Sequence, residues 1–572
     1  MTARPGTQES PATPFDPPEE SDGQAHRNGN GNGHRGGSTV TTTAPAPAQP
    51  APAPAAAPAP PEPVEAPVSG GSSNWVVALL VLVAGMFMSV LDISIVNVAI
   101  PVMQNDFGVT TEDISWISTA YSLAEGVIVP ASAWLGLRLG LGRAYIVAMI
   151  GFAIGSVLCG LAWDLNSMIA FRILQAIPGG VIPVVALTML YKIVPKDRLG
   201  AAMGMYGLGI VFAPAIGPTL GGYLVEYVDW RLIFFINVPI GVVGTIAAMI
   251  WLPNFGPAKA QRFDLWGFVT IASGLFALLL GLHEGEDWGW TSYPVMILLT
   301  YGVLALAAFV VIELEVEKPL LDVRVFATWA FSNSLILIAV ISAGLFGVLF
   351  YIPQSLQQNQ GLGAFETGLL LLPQALVMAV IMPLAGQIYD RIGARWPAVA
   401  GLIITAYGTW LLRDLTIDTS HTELAWILAF RAAGIGLAMM PIMTGGLSSL
   451  PPNRIDGASA FNTVVQRSSS AIGLAAMTAL MTGVQSQGYA DRAGLMPTDA
   501  AGSGSSSGSS GSSMSSVLGD YQMYSQLQTR VFDTSFGDLM LVTTALTAAA
   551  VLLALLLPSG RPAPSEGPRV ME

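Results

Sequence analysis

The chain has 572 residues, of which 52% are hydrophobic and only 11% are charged, and its formal net charge is −13. A typical soluble domain has about 25% charged residues, so the composition excludes an ordinary soluble protein and indicates one that crosses a membrane many times. The single cysteine, Cys159, lies in an apolar segment, which predicts a packing role and no intrachain disulfide.

The first 74 residues are rich in Pro, Ala, Gly, Ser and Asn. Such a segment cannot bury an apolar core, so residues 1–74 are predicted to be a disordered, solvated tail, with a docking role as the alternative. The first apolar run starts only at Trp75, and no cleavable secretory signal is expected.

After this tail, apolar stretches of about 20 residues recur, each long enough to cross a bilayer as a helix. The sequence therefore predicts an all-α polytopic membrane protein. Fourteen spans are predicted, near 75–101, 113–137, 143–162, 166–193, 200–226, 231–252, 264–283, 293–313, 329–352, 366–388, 395–412, 423–446, 459–484 and 537–557.

The basic residues between these spans predict the orientation. With both termini in the cytoplasm, the inner loops hold Arg138, Arg143, Lys192, Lys196, Arg198, Lys259, Arg262, Lys318, Arg324, Arg391, Arg395 and Arg454. The outer loops then hold only Arg231, Arg413, Arg492 and Arg530. This asymmetry is the one expected when Lys and Arg stay on the cytoplasmic side.

An internal repeat divides the chain. FRILQAIPGGVIP at Phe171 returns as FRAAGIGLAMMP at Phe430, and PKDRLGA at Pro195 returns as PNRIDGA at Pro452. Two parallel six-helix bundles are predicted at 75–253 and 319–558, with two accessory helices at 254–318 and a cytoplasmic tail at 559–572. Parallel repeats are typical of transporters, whose substrate site lies between the halves near the midplane.

A long outer loop is predicted at 485–536. It contains the low-complexity tract AGSGSSSGSSGSS, and its flank YQMYSQLQTRVFDTSFGD could form a short helix or hairpin. The loop is either a tolerated insertion or a surface for an extracytoplasmic partner.

The sequence also bears on the energy source. None of the four lysines follows a glycine, so the phosphate-binding motif G-x-x-x-x-G-K-[ST] is missing. Transport would be secondary or powered by a separate subunit, and no cofactor or metal is predicted. No histidine is placed for an intramembrane relay, so proton transfer is assigned to carboxylates.

Two acids lie well inside predicted helices, Asp92 within LDISIVNVAIP and Glu125 within YSLAEGVIVP. A charge at mid-bilayer costs roughly 2.5–3.5 kcal/mol, so such residues are functional candidates. Each could exchange a proton or pair with a cation, the alternative being a structural hydrogen bond. Asn97, in the same motif as Asp92, is a candidate cavity residue.

Three arginines also lie within helices, Arg172, Arg431 and Arg467, and each should find a partner or face a cavity. Arg172, with Gln175 one turn later, could exchange partners with an acid from the first two helices. The alternative is a fixed structural pair. Asn462 joins Arg431 and Arg467 as a predicted cavity residue.

The fifth span contains GIVFAPAIGPTLGG, in which Pro214 and Pro218 should bend the helix while small residues allow close approach to a neighbouring helix. Such a helix suits rocking between two bundles. The loop YDRIGAR places three residues, Asp390, Arg391 and Arg395, at helix ends on the predicted inner face, where a carboxylate could hold helix ends of the other half when that face is closed.

Together these motifs resemble the major facilitator superfamily and, within it, the fourteen-helix drug:proton antiporters of the EmrB/QacA type. LDISIVNVAIP, the Arg172–Gln175 segment, GPTLGG, WRLIFFINVPIG and NTVVQRSSSAIG carry the resemblance, which spans roughly residues 75–557. It implies alternating access, a helix-1 acid at Asp92, a helix-4 motif at Arg172 and Gln175, and an antiporter motif that includes Gly209, Pro214, Gly217, Pro218, Gly221 and Gly222. The resemblance also suggests a periplasmic adaptor.

One family motif is degraded. In the loop between the second and third spans, Leu139 and Gly140 replace the family's Asp and Arg, and only the second-half copy keeps Asp390 and Arg391.

The sequence thus predicts an inner-membrane, proton-coupled exporter of lipophilic or amphipathic compounds, which also contacts membrane lipids and binds no nucleic acid. The alternative cargo is an endogenous lipid, glycolipid or siderophore-like metabolite. A polytopic membrane enzyme is the third possibility, but the chain shows no nucleophile–base pair.

Overall fold

The computed structural model describes residues 75–253, 255–256, 263–285, 287–317, 319–416, 419–493 and 514–559. The predicted tails at 1–74 and most of 559–572 lie outside the described residues, as does the tract 501–513. Within the described part the fold is all-helical.

Fifteen α-helices are described. The first half contains α1 (Trp75–Phe107), α2 (Thr111–Leu139), α3 (Leu141–Gly160), α4 (Leu165–Ile193), α5 (Leu199–Tyr227), α6 (Leu232–Phe235) and α7 (Asn237–Trp251). The accessory pair is α8 (Leu265–His283) and α9 (Tyr293–Glu315), and the rest are α10 (Trp329–Asn359), α11 (Ala364–Ile392), α12 (Arg395–Leu411), α13 (His421–Ser448), α14 (Ile455–Ala493) and α15 (Met514–Ala554).

Twelve helical segments of the described chain are long and apolar enough to cross a membrane, with α6 and α7 counted as one. Helices also occupy the other two predicted positions, but α12 has only 17 residues and α14 is long and more polar. The prediction of a polytopic helical protein is confirmed, whereas twelve segments rather than fourteen meet these criteria. The predicted domain boundaries stay predictions.

The predicted flank of the outer loop, a short helix or a hairpin, is helical but belongs to a longer helix. Residues 521–538 form no separate short helix or hairpin, because they lie inside α15, which runs unbroken for 41 residues. On the other side α14 continues to Ala493. The part of the predicted loop 485–536 outside both helices is therefore only residues 494–513, which are not described.

Helix α1 supports the bends of its neighbours. Pro218 has no amide hydrogen, so the Pro214 carbonyl one turn earlier in α5 has no helical donor. The Ser94 hydroxyl of α1 donates to that carbonyl at 3.0 Å. In α4, Pro183 leaves the Gly179 carbonyl free in the same way, and Ser89 of α1 donates to it at 3.3 Å. Hydroxyls on either side of Asp92 thus supply the donors that the two prolines remove.

The antiporter-motif glycines of α5 allow close packing on α1. A Cβ built on Gly217 would meet Ser94, one on Gly221 would meet Ile95 and one on Gly209 would approach the Val83 carbonyl. Gly222 is buried as well. On another face, α5 packs along α11 of the second half, where Gly200 and Gly386 lie backbone against backbone. Helix α5 is therefore a central contact between the halves.

Candidate functional site

Asp92 is at the centre of a buried polar cluster inside the first half. Its Oδ2 accepts a hydrogen bond from Arg172 at 2.5 Å, and its Oδ1 accepts from Gln175 Nε2 at 2.9 Å. Arg172 also donates to Gln175 Oε1 at 2.9 Å. Asp92 and Gln175 are fully buried and Arg172 is 1% exposed. The structure thus brings together the predicted helix-1 acid and helix-4 motif.

The start of α4 fixes the position of Arg172. Asp164 and Ser167 form a capping box, in which the Ser167 amide donates to Asp164 Oδ1 at 2.8 Å and the Ser167 hydroxyl accepts from the Asp164 amide at 3.1 Å. Hydrogen bonds from Ser167 lower the pKa of Asp164, which keeps this cap charged at the positive end of the helix.

Three residues of this cluster were not among the predicted site residues. Asn237 donates to Asp92 Oδ1 at 2.8 Å and to Ser156 Oγ at 3.0 Å. The Arg172 guanidinium carbon lies 4.0 Å from the centre of the Tyr121 ring, a cation–π contact. Asn237 is the one amide in the apolar run LIFFINVPIG, and a polar residue isolated in this way could have been recognised from the sequence. No such sequence feature marks Ser156 or Tyr121.

Glu125 pairs with Arg467, not with Arg172. Arg467 of α14 donates to Glu125 Oε1 of α2 at 3.0 Å, so this ion pair joins the two halves. The Glu125 side chain is 5% exposed and that of Arg467 is 26% exposed. Separation of the halves along α2 and α14 would therefore break this bridge.

Arg467 also lines a cavity between the halves. Its apolar wall includes Met86, Val90, Leu187, Ile210, Phe346 and Met443. Tyr206 of α5 also lines it, and its polar side comes mainly from one helix, α14, through Asn462, Thr463, Gln466, Arg467 and Ser470. Asn462 is 1% exposed, and among the described residues its Nδ2 has no hydrogen-bond partner. The cavity has a volume of about 30 Å³ in this arrangement, which is room for a water or two, so it is the character of its lining, apolar with one polar side, that suits an amphipathic ligand.

The other two predicted cavity residues lie elsewhere. Asn97 is exposed and accepts a hydrogen bond from Ser118 of α2 at 2.9 Å. Arg431 is buried within the second half, where it donates to Thr409 at 3.0 Å and to the Gly344 carbonyl at 2.7 Å. In the internal repeat Arg431 corresponds to Arg172, but Arg431 donates to the Gly344 backbone carbonyl whereas Arg172 donates to Asp92. Neither residue lines the cavity.

Asp390, one of the three residues of the predicted inner gate, contacts a helix of the other half. Its carboxylate accepts hydrogen bonds from the Gly200 amide at 2.8 Å and the Ala201 amide at 3.1 Å, at the first turn of α5. A negative charge there is favoured by the helix dipole. Nearby, the Lys192 ammonium lies 3.0 Å from the Asp456 carboxylate of the second half. These contacts hold the halves together at this end.

The two gate arginines are placed differently. Arg395 donates to the Leu557 carbonyl at 2.7 Å, within the second half, and Arg391 is exposed. Asp390 thus contacts the start of a helix of the other half, and the role of the three residues as a gate stays a prediction.

Asp390→Ala is expected to loosen the contact between the two halves at the start of α5. Thr444 is buried, and its carbonyl accepts a hydrogen bond from the Tyr191 hydroxyl of the first half, so this position reports on the contact between the halves. A cysteine placed there, Thr444→Cys in a Cys159→Ser background, supplies a thiol probe of that contact. We expect its alkylation rate to rise roughly two- to thirty-fold, since a lost helix cap costs about 0.5–2 kcal/mol. Asp197→Ala, which removes an exposed acid beside α5, is the control. Equal rates in both variants would contradict a role for Asp390 in closure.

Comparison with known proteins identifies the fold family. The model of the Major Facilitator Superfamily matches residues 82–474. This chain belongs to that superfamily. Among solved structures, the proton:xylose symporter XylE superposes with a TM-score of 0.55 at 13% identity, over 86% of this chain and 97% of that one. That likeness supports the fold alone.

Two curated relatives are closer in sequence. The uncharacterized MFS-type transporter YhcA of Bacillus subtilis is 37% identical over 71% of this chain and 76% of its own length. The tetracenomycin C resistance and export protein of Streptomyces glaucescens is 31% identical over 66% of this chain and 70% of its own. The protein is therefore a multi-span membrane transporter, and the prediction that it is not an enzyme is confirmed by its family.

Proposed function

We propose that this major facilitator protein is a drug:proton antiporter that exports lipophilic or amphipathic compounds by alternating access. The observation that carries the proposal is the Glu125–Arg467 ion pair, which joins the two halves at the wall of the cavity. The export named for the Streptomyces relative supports the direction of transport.

Glu125 is better placed than Asp92 to couple proton and substrate. All of Asp92's hydrogen-bond partners belong to the first half, and it lies outside the set of cavity-lining residues. Glu125 bonds to a cavity residue of the opposite half. A proton on Glu125 would weaken the bridge between the halves and alter the charge of the cavity in one step. Asp92 and Arg172 then form a structural pair that shapes α1 and α4.

The pair also selects the charge of the cargo. With Glu125 ionised, its charge and that of Arg467 cancel; with Glu125 protonated, the cavity gains one positive charge. An antiported compound must bind the first form and leave the second, which suits cationic and neutral compounds. An anion would prefer the protonated form and travel with the proton, so an anionic lipid or siderophore-like cargo fits less well.

Tetraphenylphosphonium and tetraphenylborate, a matched lipophilic cation and anion, test this choice. With the full chain in liposomes, we expect binding of the cation, above protein-free liposomes, to weaken at least about fivefold as the pH falls and Glu125 takes up its proton. Stronger binding of the anion at low pH would contradict the charge assignment and favour the alternative cargo.

The proposal extends to the location, the orientation and the subfamily of the protein. We place the protein in the inner membrane with both termini cytoplasmic and in the fourteen-helix EmrB/QacA class, in which α12 and α14 complete the spans. The polar face of α14 lines the cavity rather than lipid, which explains its low mean hydropathy. An adaptor contact through the predicted outer loop 485–536 remains a prediction.

A further inference from the structure

One buried hydrogen-bond donor at the cavity between the halves has no acceptor. Asn462 of α14 lines this cavity and is 1% exposed, and its Nδ2 has no partner among the described residues. Every residue that lines the cavity belongs to the described part of the chain. A buried donor without an acceptor has lost its hydration without compensation, which makes a ligand oxygen a favourable partner for it.

Four other polar side chains of the lining donate hydrogen bonds within the protein. The Tyr206 hydroxyl donates to a backbone carbonyl of α4 at 3.1 Å. Thr463 and Ser470 each donate to the carbonyl one turn earlier in α14, at 3.0 and 2.8 Å. Arg467 donates across the halves at 3.0 Å. The amide of α14 therefore differs from these groups in that its donor is free to bind a cargo.

The amide and the ion pair are two separate points of the cavity. Asn462 precedes Arg467 by five residues, which is about 7.5 Å along an α-helix. Both residues line the cavity, whose other side is apolar. A cation bound beside the Glu125–Arg467 pair would therefore meet the amide as a second point of contact.

We propose that Asn462 donates a hydrogen bond to the cargo, so that the protein prefers lipophilic compounds with a carbonyl or ether oxygen over equally lipophilic compounds without one. The inference rests on the proposed export of such compounds and adds a chemical class to it. A site with a buried donor discriminates against a ligand that leaves this donor unpaired. When the halves separate far enough to admit the cargo, its oxygen takes up the bond while the apolar wall binds the rest of the molecule.

Two tetraarylphosphonium cations of the same charge and shape test this preference. (4-Acetylphenyl)triphenylphosphonium has a ketone oxygen, whereas (4-isopropenylphenyl)triphenylphosphonium has a methylene group in its place. Each is used to displace tetraphenylphosphonium from the full chain in liposomes at one neutral pH, with protein-free liposomes as the background. We expect the ketone to displace it roughly three- to tenfold more strongly than the alkene, the factor that a hydrogen bond between neutral groups contributes.

Asn462→Leu should lose this preference, because leucine has a similar branched shape but no donor. Its binding of the alkene should equal or exceed that of the wild type, which shows that the variant is folded. Asn462→Asp, whose ionised carboxylate accepts but does not donate, should lose the preference as well. Ser459→Ala is the control, because the Ser459 hydroxyl is also buried and has no partner among the described residues, but Ser459 does not line the cavity. This variant should keep the wild-type preference.

Equal displacement by the two cations in the wild type would overturn the inference. So would a preference for the ketone that Asn462→Leu and Asn462→Asp both keep. Each of these results leaves the proposed function standing, since tetraphenylphosphonium still binds. A full chain that does not bind tetraphenylphosphonium at all would contradict the proposed cargo, and the inference with it.

Discussion

Replacing Glu125 with glutamine is expected to abolish proton-driven export. The amide imitates the protonated acid at every pH, so Arg467 loses its counter-charge and the cavity stays positive. Cation binding should weaken by roughly 5- to 150-fold, the range of a coupling free energy of about 1–3 kcal/mol, and should no longer vary with pH. Binding of tetraphenylphosphonium across a pH series measures both effects.

Asp106→Asn is the matched control for that variant. Asp106 also pairs with an arginine, Arg231 at 3.3 Å, but both side chains are partly exposed and lie within the first half. We expect its pH dependence to equal that of the wild type. If Glu125→Gln retained pH-dependent binding and export, Glu125 could not be the coupling acid.

Arg172→Ala is expected to cause the largest loss of stability. It removes the cation from a fully buried carboxylate, and breaking such a buried pair costs about 3–5 kcal/mol. The comparable change at the surface, Arg231→Ala, should cost about 1 kcal/mol or less, because exposed pairs contribute little. The unfolding free energy of both variants, measured by denaturant titration in mixed micelles, gives the comparison.

A second substitution separates charge from packing in that experiment. Adding Asp92→Asn to Arg172→Ala removes the unpaired charge, so the double variant should recover part of the lost stability. If Arg172→Ala were no more harmful than Arg231→Ala, the cluster around Asp92 would not be a structural element of the first half.

The sequence predicted much of the fold because apolar length and the positions of charges are local properties. Each predicted span falls on a helix, and Asp92 and Arg172 stood out because charged groups are costly within apolar runs, whereas Gln175 was identified by its position one turn after Arg172. Asn237 and Ser156 were missed because neutral polar groups are cheaper there and less conspicuous. Helix α14 shows where hydropathy is a poor guide, because a helix that faces a cavity need not be apolar. Helix α12 falls short by length alone, with 17 residues.

The pairing of those residues could not be predicted from local pattern. Glu125 and Arg467 are 342 positions apart, and only the packing of α2 against α14 brings them together. For the same reason the sequence left open which acid Arg172 contacts.

Proton movement driven by substrate tests the central claim most directly. The wild-type chain, reconstituted in liposomes with an imposed pH gradient, is given tetraphenylphosphonium while the internal pH is followed. We predict that the cation discharges the gradient in the wild type and in Asp106→Asn, but not in Glu125→Gln. A folded wild-type protein that transports the cation without moving protons would contradict proton-coupled export.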